Sequence, residues 1–260
     1  MTENKAYFWP DDVMELCRGA ARRHSVSPSV HLEDFIFRFI YDNNVFPSKA
    51  AAVNYYFNDG ANSARKIREL IDRWMPSRKE ALRILEFASG YGAVTRHAKK
   101  ALESHVLHCS DIHEQANRFN EIEFEVTSVQ SVQDPQNFGV YNPYDVIFAL
   151  SFFSHMPIST WRRWLNRLYS CLLTGGVLIF TTHGELSKRY FPRAELDNSG
   201  FWFSPSSEQQ DLDVAAYGQT VTSKRFVDDS IAELKGAEHL FFEQGGWWGH
   251  QDLYLIRKVN

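Results

Sequence analysis

From residue 82 onward, short apolar runs alternate with segments of helical periodicity, and this alternation constrains the fold more than any other feature of the chain. The apolar runs are Leu82–Phe87, Val106–Ser110, Phe124–Thr127, Tyr144–Leu150, Gly176–Thr182, His239–Glu243 and Asp252–Arg257. The helical segments between them are Val94–Glu103, His113–Glu121, Ile158–Leu172 and Lys224–Leu234. This alternation is typical of a doubly wound, mostly parallel sheet covered by helices on both faces. The loop Gln244–Gln251 is too short for a crossover helix, so a seven-stranded α/β sheet with an antiparallel last hairpin is predicted.

Residues 1–80 show no strand pattern and are predicted to form a helical extension or cap. Apolar residues recur at helical spacing in Asp11–His24, His31–Asp42 and Asn62–Trp74, and Pro47 followed by Ser48 indicates a loop with a helix N-cap. Residues 81–260 then form the α/β domain. Residues 184–222 interrupt its pattern with 39 residues rich in Ser, Pro, Gly and aromatic side chains. An irregular stretch of that length predicts a lid or binding loop.

Composition limits the partners and the compartment. The net charge of −4 supplies no general field for a phosphate backbone, so nucleic acid is not expected as a partner. No apolar run approaches the roughly 18–20 residues that cross a bilayer, so no membrane association is expected. The N-terminal residues lack a signal pattern, and Cys17, Cys109 and Cys171 are too far apart for a disulfide framework. We therefore expect a cytoplasmic protein.

The segment 84–95, ILEFASGYGAVT, is the strongest functional signal. A strand ends near Glu86, the chain passes through Gly90 and Gly92, and a helix follows. A dinucleotide fingerprint would need glycines at 88, 90 and 93, of which only Gly90 is present, and a carboxylate repels a pyrophosphate. An acid beside a glycine turn suits a cationic ligand instead. Asp111 ends the next strand 21 residues after Gly90, where a carboxylate can accept from both ribose hydroxyls, although a helix N-cap is the alternative.

These residues resemble motif I, D/E-x-G-x-G-x-G, of the class I S-adenosylmethionine-dependent methyltransferases, with Ala88 in place of the first glycine. The stretches 144–151, 173–180 and 252–257 are similar to the fourth, fifth and seventh strands of that family. The resemblance implies S-adenosylmethionine as cofactor, with S-adenosylhomocysteine as product. The Asp that often binds adenine after the third strand is missing, which leaves Ser128 or the backbone for that contact. The implied cofactor-binding residues are Glu86, Ala88, Ser89, Gly90, Gly92, Asp111, Ile112, Ser128, Val129 and Leu150.

Two histidines are candidates for a general base that removes a proton from the acceptor. His155 follows the fourth apolar run and His183 follows the fifth, where this fold presents groups to a substrate. Each could instead cap a helix or lie beside adenine. Ser187, Tyr190, Tyr217 and His250 are weaker candidates. A metal site at His105, His108, Cys109 and His113 is not expected, because alternate strand side chains point to opposite faces.

The function implied by the resemblance is methyl transfer to an oxygen or nitrogen of a small molecule, such as a sugar or a secondary metabolite. The signatures of DNA amino-methylation and of pyrimidine C5 chemistry are missing from the sequence. The alternatives are a catalytically silent nucleoside-binding protein of the same fold and a protein methyltransferase. A nicotinamide oxidoreductase is disfavoured by the missing glycines. The sequence does not indicate an oligomeric state.

Overall fold

The computed structural model describes residues 9–43, 45–76, 80–207, 209 and 211–260. The helices are α1 (Asp11–His24), α2 (Phe35–Asp42), α3 (Lys49–Trp74), α4 (Thr95–Ala101), α5 (Glu114–Phe124), α6 (Ile158–Ser170) and α7 (Lys224–Ala232). The strands are β1 (Arg83–Phe87), β2 (Val106–Ser110), β3 (Thr127–Ser128), β4 (Tyr144–Ala149), β5 (Leu172–His183), β6 (Phe201–Ser204), β7 (Gln219–Thr222), β8 (Ala237–Trp247) and β9 (Gln251–Lys258). Short 3-10 helices span Pro135–Asn137 and Glu185–Tyr190. Parts of the predicted extension (residues 1–8, 44 and 77–79) and of the predicted lid (208 and 210) lie outside the described residues.

Seven strands form one sheet in the order β3-β2-β1-β4-β5-β9-β8. The pairs β2–β3, β1–β4 and β4–β5 are parallel, whereas β9 is antiparallel to both β5 and β8. The predicted mostly parallel sheet with an antiparallel last hairpin is therefore confirmed. Strands β6 and β7 form a separate antiparallel pair inside the predicted lid, which is thus more regular than its composition indicates.

The chain divides into two compact units, each made of two stretches of sequence. The first unit comprises the described parts of Met1–Ala81 and of Ser89–Gln130. The second comprises Leu82–Ala88 and the described parts of Ser131–Asn260. The division into a 1–80 extension and an 81–260 domain remains a prediction.

In the first unit, helix capping sets the bounds of α2 and α3. The predicted helix His31–Asp42 begins only at Phe35, because the Asp34 carboxylate accepts from the Phe37 N–H and caps α2. The predicted helix Asn62–Trp74 begins earlier, at Lys49, where the Ser48 hydroxyl is the cap. The prediction of an N-cap at Ser48 is confirmed. The strand predicted over Phe124–Thr127 is wrong at its start, since α5 continues through Phe124.

In the second unit, the central strands β4 and β5 are mostly buried. All six residues of β4 are buried, as are the last eight of β5. Strand β8 continues to Trp247, so the loop predicted over Gln244–Gln251 shrinks to a turn of three residues. Strands β1, β4 and β5 run in parallel and end at Phe87, Ala149 and His183, which places the residues that follow them at one edge of the sheet.

Across the described part of the chain, no helix is both long and apolar enough to cross a membrane.

Candidate functional site

The turn between β1 and α4, residues 88–92, is hereafter the glycine turn. Three of its five residues have left-handed backbone conformations: Ala88 with φ of 59°, Gly90 with φ of 53° and Gly92 with φ of 79°. Such conformations cost glycine little and cost other residues about 1–2 kcal/mol. The alanine at the first position of the motif is therefore strained.

The glycine turn is held by hydrogen bonds to the ends of β2 and to α5. The Gly90 N–H donates to Asp111 Oδ2 at 2.8 Å, and the Ser89 N–H donates to the Ser110 carbonyl at 3.0 Å. The Asn120 amide donates to the Gly90 carbonyl at 2.9 Å. The structure thus brings the predicted residues Ser89, Gly90 and Asp111 together and adds Asn120, which the sequence reasoning missed.

The two glycines of the turn have different reasons to be glycine. A Cβ built on Gly92 would lie 2.3 Å from Phe124 and 2.5 Å from Asn120, so this residue must be small for α5 to pack. A Cβ built on Gly90 would meet none of the described atoms within 4 Å. A ligand can therefore approach the Gly90 backbone closely, because open space adjoins it and no side chain stands between them. The turn therefore fits the predicted cofactor at Gly90, whereas the conformation and packing of Gly92 are explained without one.

Asp111 is largely buried, with 7% of its surface exposed, and it organises its own loop. Its Oδ1 accepts from the His113 backbone N–H at 3.0 Å and lies 2.9 Å from His113 Nδ1. His113 occupies the N-cap position of α5 and its side chain makes no capping hydrogen bond, so the N-cap alternative for Asp111 is wrong. A carboxylate has about four lone-pair directions, and these bonds leave capacity for a ligand hydroxyl.

Asn117 and Gln130 hold the loop that carries Asp111, and both were missed. The Asn117 amide accepts from the Asp111 N–H and donates to the Asp111 carbonyl, each at 2.9 Å. Gln130 donates to the Ile112 carbonyl at 2.8 Å. Asn117 and Asn120 are three residues apart on α5 and so share one helix face. Two asparagines on one face of a helix are the signal that could have revealed Asn117 and Asn120. Asparagine is disfavoured in helix interiors, so a pair there indicates a specific role.

The other predicted residues of the first unit border the same loop. Ile112 is 38% exposed, which leaves an apolar surface on which a ring can pack. Ser128 donates its hydroxyl proton to Glu121 Oε1 at 2.7 Å, so only its lone pairs remain for an adenine amino group. The Val129 N–H donates to the Cys109 carbonyl at 2.8 Å.

In the second unit, Glu86 and Leu150 lie at the ends of parallel strands. Glu86 is buried, with 5% exposed, and is in register with Phe148 of β4. Leu150 directly follows β4, and Ser151 after it has a left-handed φ of 56°. The Ser151 N–H donates to Thr181 Oγ1 at 2.8 Å, and its hydroxyl accepts from the Gln251 amide at 2.9 Å. A strained serine fixed by a buried network is a feature that the sequence reasoning did not anticipate.

His155 and His183 come together at the ends of β4 and β5, with ring centroids 6.2 Å apart. His155 Nδ1 lies 2.8 Å from the Gly218 carbonyl, and His183 Nδ1 lies 3.2 Å from the Thr220 carbonyl. A carbonyl only accepts, so in each neutral ring Nδ1 carries the proton and Nε2 is the basic nitrogen. Neither ring caps a helix, because α6 is capped at Pro157 and the 3-10 helix after His183 at Gly184. The cap alternative for both histidines is therefore wrong.

His250 joins them, and the three residues are hereafter the histidine cluster. Its ring centroid is 5.8 Å from that of His183, and its Nδ1 lies 3.2 Å from Ser187 Oγ. Because the Ser187 hydroxyl donates to the His250 carbonyl, the His250 Nδ1 must be the donor to Ser187. Aromatic rings border the cluster: Tyr217 on His155, Phe191 beside His183, and Tyr190 and Trp248 beside His250.

Burial favours the neutral form of two rings in the histidine cluster, those of His183 and His250. Burial, reinforced by the neighbouring His155 and His250, lowers the pKa of His183 to about 3. Burial, with a smaller contribution from Arg189, also lowers the pKa of His250. Within the described residues, no three His, Cys, Asp or Glu side chains are arranged to hold a metal ion.

Comparison with known proteins places this geometry in a known fold. Residues 85–178 match the model of a methyltransferase domain. None of the curated proteins matches the sequence. An amino pentose methyltransferase from Micromonospora echinaspora is similar in structure, with TM-score 0.56, 14% identity, and coverage of 83% of this chain and 99% of that one.

Two further solved structures are similar over most of their length. A 1,6-didemethyltoxoflavin-N1-methyltransferase from Burkholderia thailandensis has a TM-score of 0.53 and 12% identity, with 80% of this chain and 82% of that one covered. A plantazolicin methyltransferase has a TM-score of 0.54 and 12% identity, with 94% and 99% covered. Both hold S-adenosylhomocysteine. At sequence identities of 12–14%, the structural similarity establishes a shared fold.

Proposed function

We propose that this chain is a class I S-adenosylmethionine-dependent methyltransferase that transfers the cofactor's methyl group to an oxygen or nitrogen atom of a small molecule. The observation that carries the proposal is the glycine turn, where left-handed Gly90 faces open space and its N–H is fixed by Asp111. The bound cofactor supplies an electrophilic methyl group on a sulfonium.

Each predicted cofactor residue has a role that its chemistry allows. Gly90 lets the backbone approach the cofactor, and Glu86 supplies negative charge that suits its cationic part. Asp111 accepts from the ribose hydroxyls, and Ile112 packs against the adenine ring. Backbone groups at 128–129 and the Ser128 lone pairs serve the adenine edge, while Ala88, Ser89, Gly92 and Leu150 complete the lining.

The histidine cluster provides the proton acceptor. Nε2 of His155 or His183 accepts the proton that the acceptor loses as its oxygen or nitrogen forms the new bond to carbon. Positioning of two reactants contributes about 7–11 kcal/mol to catalysis. A general base contributes about 10²–10⁴-fold, or about 3–5 kcal/mol, so positioning is the larger effect.

A small neutral acceptor fits the surroundings of the cluster. Imidazoles that are neutral and present a basic nitrogen favour O–H and N–H donors, and the adjacent aromatic rings favour a flat or apolar face. The chain's net charge of −4 provides no general attraction for nucleic acid. Two structurally similar methyltransferases act on small molecules, an amino pentose and 1,6-didemethyltoxoflavin, and they support the same substrate class.

We also propose a role for two segments of the chain and a cellular location for the protein. Residues 1–80 act as a helical cap, and residues 184–222 act as a lid that closes on the acceptor and excludes water. If so, limited proteolysis should cut this segment more slowly when S-adenosylhomocysteine and acceptor are bound, and equal rates would contradict a lid. Cys17 and Cys171 are buried and form no disulfide, which favours a reducing compartment such as the cytoplasm, and cell fractionation tests that location directly.

Calorimetry with S-adenosylhomocysteine tests the cofactor assignment. Gly90→Val should abolish binding, because its side chain enters the open space, while the fold survives. Gly249→Val is the matched control: Gly249 also has a left-handed φ, of 69°, and no described atom within 4 Å of its built Cβ. Normal binding by Gly90→Val, or equal loss in both variants, would refute the assignment. S-adenosylhomocysteine release from S-adenosylmethionine in the presence of candidate small acceptors then tests transfer itself.

A further inference from the structure

The buried arginine Arg96 connects the glycine turn to a segment far away in sequence. Arg96 is 3% exposed and lies on α4. Its Nε donates to the Gly92 carbonyl at 3.0 Å, and its Nη1 donates to the Ser27 and Ser29 carbonyls at 3.1 and 2.8 Å. One guanidinium therefore joins the last residue of the turn to the segment 27–34, hereafter the strap.

The buried charge of Arg96 is balanced from the other end of the strap. Arg96 Nη2 donates to the Tyr56 hydroxyl at 3.3 Å, which in turn donates to Asp34 Oδ2 at 2.6 Å. Asp34 also caps α2, so the strap's end is fixed in place. The rings of Tyr56, Phe57 and Phe124 surround the guanidinium at 4.9–5.5 Å. Arginine suits this position because its planar guanidinium stays protonated and offers five N–H donors.

The strap touches the glycine turn a second time through a ring. His31 stacks on Tyr91, the residue between the two glycines, with centroids 4.5 Å apart and planes 11° apart. Phe119 of α5 packs against the His31 ring at 5.3 Å. Burial lowers the pKa of His31, so the stacked ring is neutral. The strap thus constrains the glycine turn at both a carbonyl and a side chain.

We propose that Arg96 and the strap are positioning elements for the cofactor, holding the glycine turn in the conformation that receives S-adenosylmethionine. This inference rests on the proposed function of the turn. Ala88 is strained by its left-handed conformation, and Gly90 and Gly92 are free to take other conformations, so without outside support the turn would occupy several conformations. Apparent affinity falls in proportion to the fraction of the competent state. The residues need not touch the cofactor to change its affinity.

The test measures the Kd of S-adenosylhomocysteine by calorimetry, together with Tm, on the full chain. Arg96→Lys keeps the charge but loses the fork, and His31→Ala removes the stacked ring. We expect Kd to rise about tenfold in each, as it would if the competent turn fell to about a tenth of the population. His31→Phe restores the ring and should restore the affinity. Val53→Ala, a cavity in the same core outside the strap, is the control for lost stability.

Two results would overturn the proposal. One is an unchanged Kd in both Arg96→Lys and His31→Ala. The other is an equal loss of affinity in Val53→Ala, which would make the effect one of general stability. Should Arg96→Lys fail to fold, the His31→Ala and His31→Phe pair decides, because only a positioning role predicts rescue by the aromatic ring. Failure of the proposed function is distinguishable, since the wild-type chain would then bind no S-adenosylhomocysteine, or Gly90→Val would bind it normally.

Discussion

The glycine turn and the histidine cluster are two candidate sites built by opposite means. In the turn, the backbone of Ser89 and Gly90 is held by the Ser110 carbonyl, the Asp111 carboxylate and the Asn120 amide. In the cluster, three imidazoles are each held at Nδ1 by a partner 63, 37 or 63 residues away. The first arrangement fixes a backbone shape, and the second fixes a proton position. A binding site needs the former, whereas a site that moves a proton needs the latter.

The largest expected effect is on turnover, which should depend on the histidine cluster, whereas cofactor affinity should depend on the glycine turn. With an identified acceptor, His183→Gln or His155→Gln should lower turnover by about 10²–10⁴-fold, while S-adenosylhomocysteine affinity stays within a few-fold. Full activity in both single variants and in the double variant would remove the imidazoles from the mechanism.

The pH profile sharpens the same test. An ordinary imidazole base would make the rate fall below about pH 6.5. Because burial lowers the pKa of His183 to about 3, a mechanism that uses His183 alone should show no such fall between about pH 5 and 8. A clear fall of the wild-type rate near pH 6.5 would show that His183 is not the general base.

The next effect concerns affinity at the turn. Asp111→Ala should weaken S-adenosylhomocysteine binding by about 1.5–3 kcal/mol, or about 10- to 150-fold, the range for hydrogen bonds to a charged acceptor. Asp134→Ala is the matched control, since Asp134 accepts from the N–H two residues ahead just as Asp111 does. Similar Tm losses with an unchanged Kd in Asp111→Ala would mean that the aspartate only shapes its loop.

Acid should destabilise the protein through its buried neutral histidines. Burial lowers the pKa of His183 and of His97 to about 3, so each binds a proton more readily in the unfolded chain. The contribution of each histidine to the free energy of unfolding is fully present above about pH 6.5. It is lost as the pH falls towards 3, by up to about 1.4 kcal/mol per pH unit for each histidine. Urea denaturation at pH 7 and 5 should show this loss, and His183→Gln should reduce it. An unchanged slope in that variant would contradict a buried neutral His183.

The smallest effect tests the strain in the turn. Ala88→Gly should stabilise the fold by about 0.5–1 kcal/mol, because relief of the left-handed φ exceeds the entropy that glycine adds to the unfolded chain. Ala101→Gly, at the ordinary helical position that ends α4, should destabilise by up to about 1 kcal/mol. Thermal denaturation of both variants measures the difference, and a loss of stability in Ala88→Gly would contradict strain at this position.

Sequence patterns predicted much of the fold because they act locally. Periodicity located the helices and strands, and the loop after β8 was short enough to require an antiparallel partner. The errors lie where a side chain overrode the pattern: Asp34 delays α2, and α5 runs through Phe124 into the predicted strand. Within residues 184–222, the sequence did not reveal the pair β6–β7, because two four-residue strands leave too few alternations to detect.

The sequence by itself located the glycine turn, because Gly90 and Gly92 supply the backbone freedom that left-handed conformations need. Only the tertiary structure decided which side chains support that turn and which nitrogen of each histidine is basic. Asn117, Asn120, Arg96 and His250 act through partners distant along the chain, and no local pattern encodes a partner. The pKa of His183 likewise follows from burial, which arises only when the strands and the lid segment have packed around it.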